Sequence, residues 1–549
     1  MKKARAERIK KLTIDLVRIQ SDTGTRQEKD VENYLHSWLG EHEYFQNHPD
    51  YFGQFPLPED PVARCVVWGL VKGQGDQTLI LMHHHDVVDA FDYGVLEKWA
   101  YDPEKLETAL KDVALSPEVR RDLASGQWLF GRGTGDMKGG AAIQLALLEE
   151  YAARPDFKGN ILLLSVPDEE SLSVGMRGSL RLLIDLKTRF KLNYKILINS
   201  EPHAKQQGEI GTFHVGSAGK ILPLIYVRGK KTHIGHIYQG FNPVLLLSEI
   251  VLATELNTDY ADSMRGDVPP PPSWSYLRDR KEVYDASIPS SAGGYLSLIH
   301  LKSSPDELIQ MLRASCETAF ERVIGKIQQS HAAYCRKKNM QAPGPSWAVN
   351  VKTFAELYQQ ALDDSGPAFQ EAYDAFLTSI VAGIEAQHLN MPEASFQLVE
   401  MTLDYVKDLS PMVVIALCPP YYPPIHNDDF QSLPPSVQNL TDHLIRFADN
   451  RWQEAYRRAN YIMGLTDLSY AALQNGEKIV PYIGPNMPLW QKTYDIPFAE
   501  MQELSLPVIN IGPWGKDHHK FTERVYITDL CERTPALLEC AIEYLLGDL

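Results

Sequence analysis

The stretch Thr78-Leu-Ile-Leu-Met-His-His-His-Asp-Val-Val-Asp89 constrains this chain most, because an apolar run stops abruptly at three histidines and an aspartate. A run of that length and composition predicts a buried strand. Side chains at the carboxyl ends of strands in an open α/β sheet point into the crevice where such proteins place their chemistry. Three further runs repeat the arrangement: Ile161-Leu-Leu-Leu-Ser-Val166 leads into Asp168, Glu169 and Glu170, Ile196-Leu-Ile198 into Glu201, and Val508-Ile-Asn-Ile511 into His518 and His519. The chain therefore predicts an α/β sheet with metal-type side chains at four strand ends.

At 549 residues the chain exceeds one ordinary core, and two or three domains are expected. Helices are predicted over 4–20 and 28–41, separated by the polar turn Ser21-Asp-Thr-Gly-Thr25. The β-branched runs at 62–72 and 78–82, flanking Gly73-Gln-Gly-Asp76, suggest a hairpin, and 90–127 reads as a long connection. The Gly131-Arg-Gly-Thr-Gly-Asp-Met-Lys-Gly-Gly140 loop precedes a strong helix. Its glycines miss the dinucleotide fingerprint, since an aspartate stands where the last glycine belongs.

From about 212 the pattern changes to a second α+β domain. A strand at Gly219–Val227, a helix at Pro243–Glu255, a Pro-rich loop at 268–273, a strand at Gly294–Leu301 and helical stretches at 305–338 and 352–388 follow, without further strand-end ligands. The apolar run at 408–418 is expected to rejoin the first sheet, and a closing helix is expected at 534–546. The expected organisation is a catalytic domain in two parts, 1–211 and 406–549, around an insertion at 212–405.

The net charge of −17 argues against a general nucleic-acid or anionic-membrane binder. Six cysteines, scattered at 65, 316, 335, 418, 531 and 540 without a CxxC pair, suggest neither a zinc ribbon nor a disulfide framework. A reduced, cytoplasmic setting is expected, and no apolar run approaches the length of a membrane span.

A hydrolytic two-metal site needs one carboxylate shared between the ions, two further ligands for each, and an unligated base beside the attacking water. His84, Asp136, Glu170, Glu201 and His519 are candidate ligands. Glu169, beside a ligand but directed elsewhere along the chain, is the candidate base, and Asp86 is placed to accept the second imidazole proton of His84. Three carboxylates against two divalent ions leave about one net positive charge, enough to hold a hydroxide near neutral pH. Taken singly, a His-x-Asp strand end, an acidic run and a Gly-rich turn are each more often an ordinary polar terminus, a solvated surface and a helix cap. Four such groups at four strand ends shift that balance. His83 and His85 read as packing residues. His233 and His236 have a metal pair's spacing, but they sit in the insertion.

The motifs His84-His-Asp-Val-Val88, Gly131–Gly140, Pro167-Asp-Glu-Glu-Ser171, Ser200-Glu-Pro202 and Gly512-Pro-Trp-Gly-Lys-Asp-His-His-Lys-Phe-Thr-Glu523 resemble, in this order, those of the M20 family of zinc amidohydrolases and peptidases. That family includes aminoacylases, acetylornithine deacetylase and succinyl-diaminopimelate desuccinylase. Chain length and the His-His-His-Asp and Asp-His-His-Lys variants are similar to an arginine-utilisation branch of it.

The resemblance implies a zinc-peptidase-like catalytic domain with a mixed central sheet flanked by helices, plus an inserted α+β lid and dimerisation domain. It implies two divalent ions, zinc with cobalt or manganese as alternatives, bridged by Asp136. His84 and Glu201 complete one site, and Glu170 and His519 the other; His519 is preferred to His518 because it stands four residues before Glu523, as the last ligand does in relatives. The Thr232-His-Ile-Gly-His236 run with Gly240-Phe-Asn242 is similar to the lid motif whose histidine, His233 here, stabilises the tetrahedral oxyanion, often from the partner subunit of a homodimer. The implied substrate is an N-acyl amino acid or short peptide. A dipeptidase and an inactive metal-binding or regulatory protein of the same fold are the alternatives. The gap between His84 and Asp136 is longer than the family's, and no residue matches its substrate-clamping arginine.

Overall fold

A computed structural model describes residues 2–58, 60–205 and 210–547. Two compact units result: Met1–Ser217, Ile425–Gln474 and Pro497–Leu549 form the first, Ala218–Pro424 and Asn475–Ile496 the second.

The first unit is built on an eight-stranded mixed sheet, in the spatial order Phe52–Pro56, Cys65–Lys72, Asn160–Val166, Gln77–His84, Asn193–Asn199, Val508–Asn510, Gly211–His214 and Tyr456–Ala459. The four strands expected to carry ligands are consecutive and mutually parallel. Their register is level, with His84 opposite Val166, Met82 opposite Asn199 and Asn510 opposite Asn199, so all four carboxyl ends finish along one edge. Leu79 through Met82 and Ile161 through Leu164 are buried on both faces, as central parallel strands are. Helices Lys138–Ala152 and Thr534–Leu546 pack on Gln77–His84, and helix Glu28–Gly40 packs on Cys65–Lys72.

The expected hairpin does not form. Asn160–Val166 lies between Cys65–Lys72 and Gln77–His84, antiparallel to one and parallel to the other. The Gly73–Asp76 turn instead wraps over the start of that intervening strand. The Gly73 and Gly75 N–H groups donate to the Gly159 and Lys158 carbonyls at 3.0 and 2.6 Å, and a Cβ at Gly73 would lie 2.2 Å from the Gly159 oxygen. The connection at 90–127 is not irregular either. It contains the helices Pro103–Ala109 and Pro117–Ser125, each with Pro at its first turn after an Asp or Ser cap. Tyr93, Leu96, Leu106, Leu110 and Val119 form a small core there with Trp128 and Phe130.

The second unit has a five-stranded sheet ordered Ser273–Asp279, Ser291–His300, Gly219–Arg228, Met412–Tyr422 and Val351–Thr353. The run at 408–418 therefore does not rejoin the first sheet, since Met412–Tyr422 pairs antiparallel with Gly219–Arg228. Every residue from Met412 to Cys418 is buried, and an apolar run without alternation does not specify its sheet. The chain re-enters the first unit at Ile425 and His426, which pair with Gly216 and Ser217. The helical stretch at 352–388 divides at Gly366 (φ 56°) into Phe354–Ser365 and Pro367–Glu385. Among the described residues no helix is long and apolar enough to cross a membrane.

Candidate metal centre

Strand alternation separates the three histidines. His83 Nδ1 lies 2.9 Å from Gln144 Oε1, and His85 Nδ1 lies 2.9 Å from Ser165 Oγ. Both rings are buried, and burial lowers them to about 4 and about 3, so they are neutral packing groups. Gln144 also donates to the Met82 carbonyl and to Ser200 Oγ at 2.8 and 2.9 Å, tying the His84 strand to the Glu201 strand. Helix Lys138–Ala152 reaches this close because Gly140 has no Cβ; one there would lie 2.2 Å from the Ser200 oxygen.

His84 projects the other way. Its Nε2 lies 3.2 Å from Asp136 Oδ1 and 3.3 Å from Glu201 Oε1. His519 Nε2 lies 3.1 Å from Glu170 Oε1 and 3.3 Å from Asp136 Oδ2. Asp136 thus offers one oxygen to each histidine. Donor atoms of His84, Asp136 and Glu170 lie within 4.8 Å of one another, as do those of His84, Glu169 and Glu201. Glu169 therefore faces the cluster instead of pointing away from it. His518 joins neither group; its ring packs against Gly135 and Gly515.

Four carboxylates and two imidazoles share this space. Burial, with repulsion from Asp136, pushes Glu201 up to about 8, and burial likewise lifts Glu169 well above the usual carboxylate range and raises Glu170. Burial opposes the charge on Asp136 too, but hydrogen bonds from His519 and His84 hold it well below its ordinary value. The same contacts with Asp136 and Glu170 raise His519 to about 10. Clustered carboxylates that take up protons because their charges are buried together form a site that divalent cations relieve. Imidazole and carboxylate donors suit zinc-type ions, so the residues present fit two such ions.

The turns around this cluster are held by groups far away in sequence. Glu523 accepts the N–H groups of Gly135 and Asp136 at 3.1 and 3.2 Å on one oxygen, and Arg132 at 2.9 Å on the other. Asp86 accepts the N–H groups of Glu169 and Glu170 at 3.1 and 3.2 Å and the Thr23 hydroxyl at 2.6 Å. His84 Nδ1 is 3.0 Å from the Asp86 carbonyl and 3.5 Å from its carboxylate, so the backbone oxygen is the nearer acceptor. Arg64 donates to Asp168 at 2.6 Å and to Glu28 at 3.0 Å. Sequence reasoning missed Arg64, Arg132 and Glu28. A signal existed for the last: Glu28, Glu32, Leu35 and Leu39 share one helical face, and all four are buried.

His233 belongs to the second unit. It is exposed, and its Nδ1 accepts the Gly235 N–H at 3.1 Å. Its ring centroid lies 6.1 Å from that of His236, and no group of three metal-type donors forms around this pair among the described residues.

A family model, peptidase family M20/M25/M40, matches residues 80–540. YqjN of Bacillus subtilis (strain 168), itself an uncharacterized protein, is 35% identical over 97% of this chain and 96% of its own. Protein RocB of the same strain is 29% identical over 98% of this chain and 95% of its own. Among solved structures, Bacillus subtilis YXEP, a dinuclear metal binding peptidase from the M20 family, shares the fold with a TM-score of 0.50 and 12% identity over 99% of each chain. The match over most of its length, together with the mixed sheet and the strand-end cluster, places this chain in peptidase family M20/M25/M40.

Proposed function

We propose that this protein is a two-metal, zinc-type hydrolase that cleaves the amide bond of an N-acyl amino acid or a short peptide. The observation that carries the reading is Asp136, whose two oxygens lie 3.2 and 3.3 Å from His84 and His519 respectively. In this reading His84, Asp136 and Glu201 hold one ion, and Glu170, Asp136 and His519 the other. Two divalent ions there would supply Lewis-acid activation of the attacking water and the scissile carbonyl. Glu169 takes the water proton and returns it to the leaving nitrogen, which departs poorly as an anion. Its carboxylate oxygen lies within 4.8 Å of donor atoms of His84 and Glu201, beside the space the ions would occupy. Asp86 fixes the His84 tautomer through its carbonyl and the two glutamates through its carboxylate. His233 stabilises the oxyanion after closure of a lid formed by the second unit, from its own chain or from a homodimer partner.

A place in arginine catabolism follows from the motifs' resemblance to the arginine-utilisation branch, and the six free cysteines favour a reduced, cytoplasmic setting. Two rivals are a dipeptidase and a catalytically inactive binding or regulatory protein. The second is disfavoured by the presence of both Glu169 and His233, which a non-catalytic relative does not need. Screening the zinc-loaded full-length protein against N-acyl amino acids and dipeptides, beside a chelated control, tests the reading. Metal-dependent hydrolysis within one class is expected. Two bound ions with no hydrolysis of either class would contradict it in favour of the inactive reading.

A further inference from the structure

The segment 90–127, which lengthens the gap between His84 and Asp136, takes no part in the proposed chemistry. Its second helix, Pro117–Ser125, presents Asp122 to the hairpin that carries His519. That hairpin pairs Gly515–Lys516 with Arg524–Tyr526, and the latter strand also pairs with Trp128–Phe130. Residues 517–523 form the turn. Asp517 (φ 55°) and His519 (φ 62°) are both left-handed there, and neither is glycine. Such conformations persist only where their surroundings over-determine them.

Arg524 supplies those surroundings. Its side chain is 1% exposed, and its guanidinium carbon lies 5.5 and 5.6 Å from the ring centroids of Trp128 and Phe130. One edge of the guanidinium closes the turn: Nη1 donates to the Asp517 carboxylate and, at 3.0 Å, to the Thr522 carbonyl. The Thr522 hydroxyl donates to the same Asp517 oxygen at 2.9 Å. One oxygen of Asp122 accepts the other edge, Nε and Nη2, at 2.8 Å each, and it accepts Lys516 Nζ from the opposite strand at 3.0 Å. Asp122 therefore joins both strands of the hairpin. Glu118, one turn earlier and exposed, meets Lys516 at 2.9 Å but Arg524 only at 3.8 Å. A buried guanidinium that loses its carboxylate is an uncompensated charge, which is strongly unfavourable. Without Asp122, Arg524 is drawn toward water, and its hold on Asp517 and Thr522 goes with it. Glu523 is anchored separately, by Arg132 and by the Gly131 N–H.

We propose that Asp122 is a positioning residue: through Arg524 it holds the turn that presents His519, so the 90–127 segment braces the metal centre. The consequence for the second ion rests on the two-metal reading; the claim about the turn does not.

Hydrogen exchange of peptides covering 515–523 in the full-length protein, without added metal, tests the claim about the turn. Asp122→Ala should exchange about tenfold faster there than the wild type, with peptides covering 78–86 unchanged, and Glu118→Ala should match the wild type at both places. In a zinc titration Asp122→Ala should bind one ion as the wild type does and the other about ten- to a hundredfold more weakly. Arg524→Met, which keeps the volume between the two rings, should weaken the same ion, and the double variant should be no worse than Arg524→Met alone, because Asp122 acts through that arginine. Unchanged exchange in Asp122→Ala, additive losses in the double variant, or unchanged zinc binding beside a wild type that holds two ions overturns the proposal. If Asp122→Ala does not fold, Asp122→Asn, which retains an acceptor oxygen, carries the same measurements with about threefold faster exchange expected; unchanged exchange in it, or its own failure to fold, overturns the proposal. Failure of the two-metal reading shows separately, as a wild type that binds fewer than two zinc ions, and leaves the exchange result standing.

Discussion

The Asp136 loop of the first unit and the His233 loop of the second carry comparable motifs, yet they are built differently. Asp136 sits among partners remote in sequence: Glu523 holds its N–H, and Arg132 braces Glu523 from 1% exposure. His233 is held at the surface. Gly235 donates to its ring, and the remote segment 285–287 lies alongside: the Ile234 N–H donates to the Ala286 carbonyl at 2.9 Å, and Lys231 pairs with Asp285 at 2.8 Å. Ile234 and Ile237 on this loop are 58% and 45% exposed. The contrast is that of a centre braced from several elements and a loop on the surface. A histidine becomes a ligand candidate when several carboxylates converge on it, and spacing alone, as in His233 and His236, does not bring that about.

The largest effect expected on turnover from the braced side is that of Glu169→Gln. It removes the proton carrier and keeps the shape, so turnover should fall by about a hundred- to ten-thousand-fold while both ions remain in elemental analysis. Loss of an ion instead would make Glu169 a ligand, which its 4.8 Å grouping with His84 and Glu201 leaves open to test. On the surface side, His233→Ala should lower kcat by about a hundred- to a thousand-fold, the usual size for one oxyanion donor, with metal content unchanged. A merely threefold loss would remove His233 from the chemistry and leave the loop without a catalytic role. His519→Ala should lose one of the two ions, whereas His518→Ala should keep both; the reverse would mean that the spacing to Glu523 selects the wrong histidine. The smallest effect belongs to Asp285→Asn. Exposed ion pairs contribute little, so the melting temperature and metal content should not move, and turnover should drop by less than about tenfold. A large loss of stability there would show that the His233 loop is as firmly built as the Asp136 loop.

The four strands proposed to carry ligands were legible because each joins a strand-length apolar run to a chemically distinctive end, and the parallel register then brings those ends together. What sequence reading missed is non-local. The neighbour of Cys65–Lys72 arrives nearly a hundred residues later, so a short glycine turn looks like a hairpin when it is not one. Met412–Tyr422 is buried in a sheet centre, where no alternation marks which sheet it joins. Two helices in the 90–127 connection were signalled by Asp102-Pro103 and Ser116-Pro117, cap and first-turn proline together. Arg64 and Arg132 act through contacts that only the folded chain creates, and the chain alone gives no reason to connect Arg64 with Asp168 or Arg132 with Glu523.

The central claim is that one carboxylate serves two ions. Elemental analysis of Asp136→Ala, purified beside the wild type with zinc present and then desalted, tests it most directly. The wild type should retain two ions per chain, and the variant should lose most of both, because in the proposed assignment no other ligand is shared by the two ions. A folded Asp136→Ala protein that still holds two tightly bound ions would contradict the account.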